Sequence, residues 1–125
     1  MLRFTIDIPP RTKKNSQRII TNRKTGKPMI VQSSEYLDYE KECGWFVRGQ
    51  GELIDYPVNV KCVFYRDSRR RVDLTNLLAA VCDILVKYKV VQDDNCSIIV
   101  SHDGSRVLYD KEHPRTEITI ERSEE

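Results

Sequence analysis

One stretch constrains this chain more than any other. Over residues 73–88, Leu74, Leu77, Leu78, Val81, Leu85 and Tyr88 recur at intervals of 3, 1, 3, 4 and 3, the spacing of a single apolar stripe on an α-helix. Asp73 stands where an N-cap belongs, and Asn76, Ala80, Asp83 and Lys87 are expected with it on the opposite, polar side. A helix with one apolar stripe needs a surface to bury it against. The chain supplies strands for that surface. Val58, Val60, Cys62 and Phe64 alternate with Asn59, Lys61 and Val63 across residues 57–65, the period of a half-buried strand. Leu2, Phe4, Ile6 and Ile8 alternate with Arg3, Thr5 and Asp7 until Pro9-Pro10 stops the run. Ile118 and Ile120 face inward in a closing strand at residues 115–121.

The remaining signals fit around these elements. Ser33, Ser34 and Glu35 open a second helix, with a serine as N-cap and an acid in its first turn. It runs to about Val47, carries Tyr36, Tyr39, Cys43, Phe46 and Val47 on one side, and fades at Gly49 and Gly51. A turn at residues 24–27 precedes a short strand at 29–31. After Val90-Val91, Gln92-Asp93-Asp94-Asn95 reads as a turn. Residues 97–102 read as a strand, Asp103-Gly104 as a hairpin turn, and 106–109 as its return strand. Strands and helices in mixed order predict an α+β fold, a mixed sheet covered by two main helices. The 125 residues are expected to form one domain, residues 1–125.

Charge narrows the partners. The net charge of +2 says little, but its distribution says more. Arg11, Lys13, Lys14, Arg18, Arg23, Lys24 and Lys27 occur between Pro9 and Ser34 with no acid among them, and Arg66, Arg69, Arg70 and Arg71 form a second cluster. Acids gather elsewhere, including the tail Glu121, Glu124 and Glu125. Such asymmetry points to a polyanion on one face; the plain alternative is a set of solvated basic loops. Cys43, Cys62, Cys82 and Cys96 lack the spacing of a zinc site and suit a reducing compartment. No leader-like or membrane-spanning run is present in the sequence, so a cytoplasmic location and no membrane partner are expected.

The chemistry-bearing residues stand close in sequence. Arg69-Arg70-Arg71 precede Asp73 at the helix start, Asn76 and Asp83 follow along the helix, and Asp93-Asp94 come one turn beyond it. Carboxylates beside arginines suit phosphodiester hydrolysis. Mg²⁺ takes oxygen ligands and keeps several waters, it activates water and offsets phosphate charge, and arginine grips phosphate through a two-pronged contact. A 16-residue helix spans about 24 Å, so Asp73 and Asp94 meet only if the chain doubles back along the helix or a second subunit brings carboxylates together. The plain reading of the same residues is a helix cap, a solvated face and a polar turn. His102 and His113 read as surface or strand-end residues. Trp45 and the tyrosines at helical spacing read as core or dimer contacts rather than base-stacking groups, and Arg106 and Tyr109 on the expected hairpin are candidates for a DNA contact that the sequence itself does not show.

Arg70-Arg71-Val72-Asp73-Leu74-Thr75-Asn76-Leu77, then Asp83, then Asp93-Asp94, resembles the signature of the RusA family of Holliday junction resolvases. A strand ending in Pro-Pro and followed by Lys13-Lys14-Asn15-Ser16 belongs to the same pattern, and the match runs in order from Ile6 to about Ile99. The resemblance implies a homodimeric protein that binds four-way DNA junctions and cuts them by paired nicks with Mg²⁺, or Mn²⁺ in its place. It matches Asp73 to the first catalytic aspartate and Asp94 to the last, with Asp93 beside it and Asp83 on a matching helix position. The expected metal set is therefore Asp73, Asp83, Asp93 and Asp94. Lys13, Lys14, Arg18, Arg69, Arg70 and Arg71 would hold the DNA backbone, in the cytoplasm of a bacterial or phage-infected host cell. Two positions depart from the family pattern: Thr75 stands where it has a second aspartate, and Ala79 where it has a lysine. Either another group (Asp83, Asp93, Asp103 or the Thr75 hydroxyl) replaces the lost ligand, or cutting is slow or shifted to Mn²⁺, or the chain binds junctions without cutting. A structural or regulatory protein whose acids are only caps and turns leaves the clustered arginines unexplained.

Overall fold

The computed structural model describes residues 1–12, 17–32 and 34–123, and for residues 17, 18 and 30–32 the backbone alone. Lys13, Lys14, Ser33, Glu124 and Glu125 lie outside the described residues, as does the Arg18 side chain. In chain order the elements are β1 (Leu2–Ile6), β2 (Gln17–Thr21), β3 (Pro28–Gln32), α1 (Ser34–Val47), β4 (Val58–Arg66), α2 (Leu74–Lys87), β5 (Ile99–Ser101), β6 (Arg106–Tyr109) and β7 (Arg115–Arg122).

The period-two pattern builds the sheet as expected. β4 buries Val58, Val60, Cys62 and Phe64 and turns Asn59, Lys61 and Val63 outward. β7 buries Thr116, Ile118 and Ile120. It pairs antiparallel with β1, from Leu2↔Ile120 to Ile6↔Thr116, and antiparallel with β4, from Val58↔Arg122 to Tyr65↔Arg115. On its other edge β4 takes both β5 and β6, and both run parallel to it. Parallel neighbours need a crossover, and α2 is that crossover. The sheet is therefore mixed, with α1 and α2 over one face.

The parallel pairing overturns the hairpin expected at Asp103-Gly104. The chain does not reverse there. β5 and β6 are two segments of one edge strand, and residues 102–105 bulge between them. Along β4 the partners step four residues, Asn59 to Val63, while the edge steps five, Ser101 to Arg106, which is one residue too many for a regular ladder. Gly104 takes a φ of +88°, so the turn chemistry of Asp-Gly is used in the bulge.

Asn59 stitches this bulge to β4. Its Oδ1 accepts from Ser101 Oγ at 2.5 Å and from Asp103 N at 2.7 Å, and its Nδ2 donates to Asp103 O at 3.2 Å. Ser105 Oγ accepts from Cys62 N at 3.0 Å, and His102 Nδ1 donates to Val60 O at 2.8 Å. Asn59→Ala is expected to cost about 1–2 kcal/mol and to lower the melting temperature by about 5 °C. An unchanged melting curve, followed by far-UV circular dichroism, would show that the bulge holds its shape without this side chain.

The stripe on α2 is buried as predicted at Leu77, Leu78, Val81 and Leu85, but Ala80, Cys82 and Ile84 are buried too. Ala80 thus moves from the expected polar side to the interior, because α1 packs there as well as the sheet. α1 buries Tyr36, Tyr39, Cys43 and Val47. Gly44 makes room for the Tyr88 ring, which a Cβ at that position would meet at 2.8 Å, and Tyr88 Oη donates to Glu40 O at 2.9 Å. Trp45, expected in the core or a dimer contact, is 85% exposed and so is not part of the core.

α2 ends in a Schellman motif. Lys89 adopts a φ of 59°, Lys89 N donates to Val86 O at 3.1 Å and Val90 N to Leu85 O at 2.9 Å. Val90 and Val91 are then buried, and Val91 bridges Ile54. β2 and β3 form a separate two-stranded ribbon. Its turn is the expected one, with Gly26 at a φ of +68°, whereas β2 itself was hidden in what reads as a basic stretch. No helix among the described residues is long and apolar enough to cross a membrane.

Candidate nucleic-acid interface and carboxylate site

Where β4 ends, the chain crosses through residues 67–72 into α2. Ser68 Oγ accepts from Arg70 N at 3.1 Å, and the Arg66 guanidinium donates to Arg70 O. These bonds hold a tight basic loop from which Arg69, Arg70 and Arg71 project into solvent. Beside it lies a cavity of about 360 Å³ lined by Arg66, Arg70 and Arg71 from this loop and by Pro10, Arg11, Thr12 and Glu35 from the other side. The two basic stretches, separate in sequence, therefore meet at Arg11, which also pairs with Glu35 at 3.5 Å. Val72 and Leu77, which bracket Asp73 in sequence, line the same cavity.

Asp73 occupies the N-cap position with extended backbone, φ −83° and ψ 127°, but its side chain makes no capping bond. Its carbonyl accepts from Asn76 N and Leu77 N, and Oδ2 accepts from Asn76 Nδ2 at 3.3 Å. Asp73 is exposed, two residues along the chain from Arg71. The cap expected of this side chain is thus absent, which leaves its charge free for an external cation.

Asp93 and Asp94 differ in the work they do. Asp93 Oδ1 accepts from Asp94 N at 2.7 Å and Oδ2 from Asn95 Nδ2 at 3.1 Å, so both its oxygens hold the turn. The Asp94 carboxylate accepts no hydrogen bond among the described residues and is exposed. Its charge reaches the middle of α2. Burial pushes the Cys82 thiol up to about 12, and the Asp94 and then the Asp83 carboxylates add to that rise. The turn after α2 thus brings the Asp94 charge to about the level of Cys82, short of the doubling back that would make it a neighbour of Asp73. That level is nine residues past Asp73, about 13 Å of helix. Thr75, Ala79 and Cys82 lie at i, i+4 and i+7, along the side of α2 that Asp94 addresses. Both departures from the expected charge pattern thus stand on this side, and both are exposed.

Asp83 acts on both Cys82 and α1. It is half-buried, and its charge helps raise the hydroxyl of Tyr36 on α1, whose shift comes mainly from burial and then from Glu40. The four expected metal ligands are thus spread along α2 and its return turn. Among the described residues no three His, Cys, Asp or Glu side chains converge where a metal ion would sit. Asp73 and Asp94 have the right chemistry for a hard cation, exposed oxygen donors, but they are not drawn together as a closed cage.

Two contacts escaped sequence reasoning. His102 stands at a strand end as expected, just past β5, and is tied there: with Nδ1 on Val60 O, its Nε2 faces Cys82 Sγ at 3.8 Å. The Arg69 guanidinium stacks on the Tyr109 ring, 3.9 Å from its centroid. Each joins residues 20 to 40 apart, and only the parallel crossover brings them together. His113, by contrast, is exposed and pairs with Asp7, as a surface residue does.

A family model described as endodeoxyribonuclease RusA matches residues 7–121. A curated protein named crossover junction endodeoxyribonuclease RusA, from Aquifex aeolicus (strain VF5), is 32% identical over 68 residues, 53% of this chain and 54% of that protein. The matched part of the chain thus spans about half the length of this curated relative.

Proposed function

This chain belongs to the RusA family of endodeoxyribonucleases, and from that premise we propose that it binds four-way and other branched DNA and nicks it by metal-dependent hydrolysis. The observation that carries the reading is the meeting of Arg11 with Arg66, Arg70 and Arg71 around one cavity, with the uncapped Asp73 carboxylate beginning the helix beside it. Cations there bind the DNA backbone, fix its register and supply affinity that salt weakens. Ser68 and the Arg70 carbonyl preorganise the loop, so less side-chain freedom is lost on binding.

Within this proposal, Asp73 and Asp94 are the carboxylates assigned to Mg²⁺ or Mn²⁺; the length of helix between them calls for separate ions, or for a second subunit's carboxylate to complete each site, with water and the substrate's own phosphate filling the rest, as suits a cation held by one or two carboxylates. Bound there, the metal would supply charge neutralisation and an acidified water. Asp93 acts by holding the turn that presents Asp94. Lys13, Lys14 and Arg18 would extend the grip on the backbone. The same reading makes residues 1–125 one nuclease domain, active as a homodimer in the cytoplasm. Two subunits would place two such sites on a junction, the requirement for paired nicks.

A second reading has its own support. Thr75 and Ala79 remove one acid and one base from the side of α2 that faces Asp94, which suits a junction-binding protein that no longer cuts.

The test is nicking of a labelled four-way junction and a matched linear duplex, with Mg²⁺, Mn²⁺ or chelator. Metal-dependent paired nicks on the junction are expected. Tight junction binding without nicks in either metal would favour the second reading, and no DNA binding at moderate salt would remove both. Arg70→Ala with Arg71→Ala is expected to weaken junction and duplex binding alike, about tenfold, and to flatten the slope of log affinity against log salt by about 1.8. An unchanged slope would take these arginines off the phosphates.

A further inference from the structure

Beyond the phosphate grip, the structure carries a second surface at the same end of the sheet. A cavity of about 470 Å³ lies between the four arginines of the 66–71 loop and Val107 and Tyr109 of β6. Register fixes which side of the sheet it occupies. Phe64↔Val107 and Arg66↔Tyr109 are paired positions, so Val107 and Tyr109 continue the row that β4 buries with Val60, Cys62 and Phe64. They lie on the helix-covered side, the side from which α2 and Asp73 start.

This surface has more than phosphate binding requires. Cations alone suffice for phosphate, yet here Tyr109 is 40% exposed on an edge strand, where exposed positions are ordinarily charged or polar. Arg69 stacks on the ring, its guanidinium carbon 3.9 Å from the centroid. An aromatic face beside a guanidinium plane and an aliphatic floor is the chemistry that receives an unstacked nucleobase. In an intact duplex the bases are stacked and their faces are closed. At a branch point they open.

Resting on the nuclease reading above, we propose that Tyr109, with Arg69 stacked on it, is a platform for an unstacked base next to the phosphate held by the arginine loop. Branched DNA is then preferred over linear duplex because only branched DNA offers a base face to this ring. Tyr109 acts on substrate choice, and the arginines act on affinity for any DNA.

The experiment compares the full chain on three probes in chelator: a matched linear duplex, the same duplex with one bulged 2-aminopurine, and a four-way junction with 2-aminopurine beside the branch. The wild-type chain is expected to favour the bulged duplex over the matched one by roughly five- to a hundredfold, the range of one base on one aromatic ring, and to change the probe's fluorescence on binding. Tyr109→Ala is expected to bring that preference close to one while matched-duplex affinity changes less than about threefold. Tyr109→Phe, which keeps ring and shape, is expected to retain the preference. Equal weakening of all three probes by Tyr109→Ala would overturn the proposal and leave Tyr109 as a support that positions Arg69. So would a wild-type chain that binds matched and bulged duplex equally. Failure to bind any of the three would remove the nuclease reading itself, a different result from either.

Discussion

Asp73→Asn and Asp94→Asn are each expected to lower nicking of a four-way junction by roughly a thousandfold or more. A catalytic metal contributes several kcal/mol to such a reaction, and each 1.36 kcal/mol is tenfold in rate. Both side chains are exposed, and neither caps a helix nor closes a turn. Asparagine has the same shape, so folding should be unaffected, within about 0.5 kcal/mol. Junction affinity in chelator should hold or rise slightly, because one negative charge leaves the surroundings of the arginines. Calorimetric titration of Mg²⁺ into the complex with an uncleavable junction gives a readout apart from cutting, and binding should fall with either substitution. Asp93→Asn is the contrast. Asparagine still offers an oxygen to Asp94 N, so the turn persists, and the loss should stay under about tenfold, one pK-scale unit of free energy. Retained cutting in both Asp73→Asn and Asp94→Asn would remove the assigned site. A large loss only in Asp93→Asn would exchange the roles given to the two adjacent acids.

How much of this was legible beforehand depends on how far each feature reaches along the chain. The α2 stripe and the alternation in β4 report local geometry against one packing surface, and both are found where the spacing predicts them. A stripe assumes one partner surface, while α2 has two, sharing one core with the sheet and lying against α1, so Ala80 is interior. Asp103-Gly104 carries a real local preference for positive φ, which Gly104 adopts. Nothing local says whether that preference will reverse a strand or bulge it. Direction is decided by the crossover through α2, which starts 30 residues upstream and returns the chain parallel to β4. β2 was unreadable for a different reason: its Arg18 and flanking lysines signal solvent, and strands of a two-stranded ribbon bury no continuous face. The site divides the same way. Asp73, Asp94 and the arginines are visible as types and spacings. That Asp73 leaves its capping bond unmade, that both Asp93 oxygens hold a turn, and that Arg69 rests on Tyr109 are facts of tertiary geometry.

Thr75 and Ala79, standing where the resemblance expects an aspartate and a lysine, give the second large effect. Thr75→Asp with Ala79→Lys should raise nicking by at least tenfold and lower the Mg²⁺ concentration needed for half-maximal rate. Thr75 and Ala79 are exposed and four apart on α2, so neither new side chain meets a core. An acid in the first turn favours the helix N-terminus, and an acid four residues before a lysine adds about 0.3–0.5 kcal/mol. Any change in cutting then reports on chemistry, with stability nearly constant. The paired change matters because the single ones are not neutral for DNA. Thr75→Asp alone places an unbalanced negative charge close to Arg69–Arg71 and should weaken junction binding even where it strengthens metal binding. The magnitude separates the two readings of this chain. If the wild type cuts and the double substitution gains only about tenfold, some present group, with the Thr75 hydroxyl the nearest, already stands in for the missing ligand, and Thr75→Ala should then reduce cutting. If the wild type binds without cutting and the double substitution begins to nick, the protein has kept the DNA grip of its family and lost the chemistry at these two side chains. If neither protein nicks any junction, the carboxylate site assigned to Asp73 and Asp94 is wrong, since the substitution restores the family's full charge pattern around it.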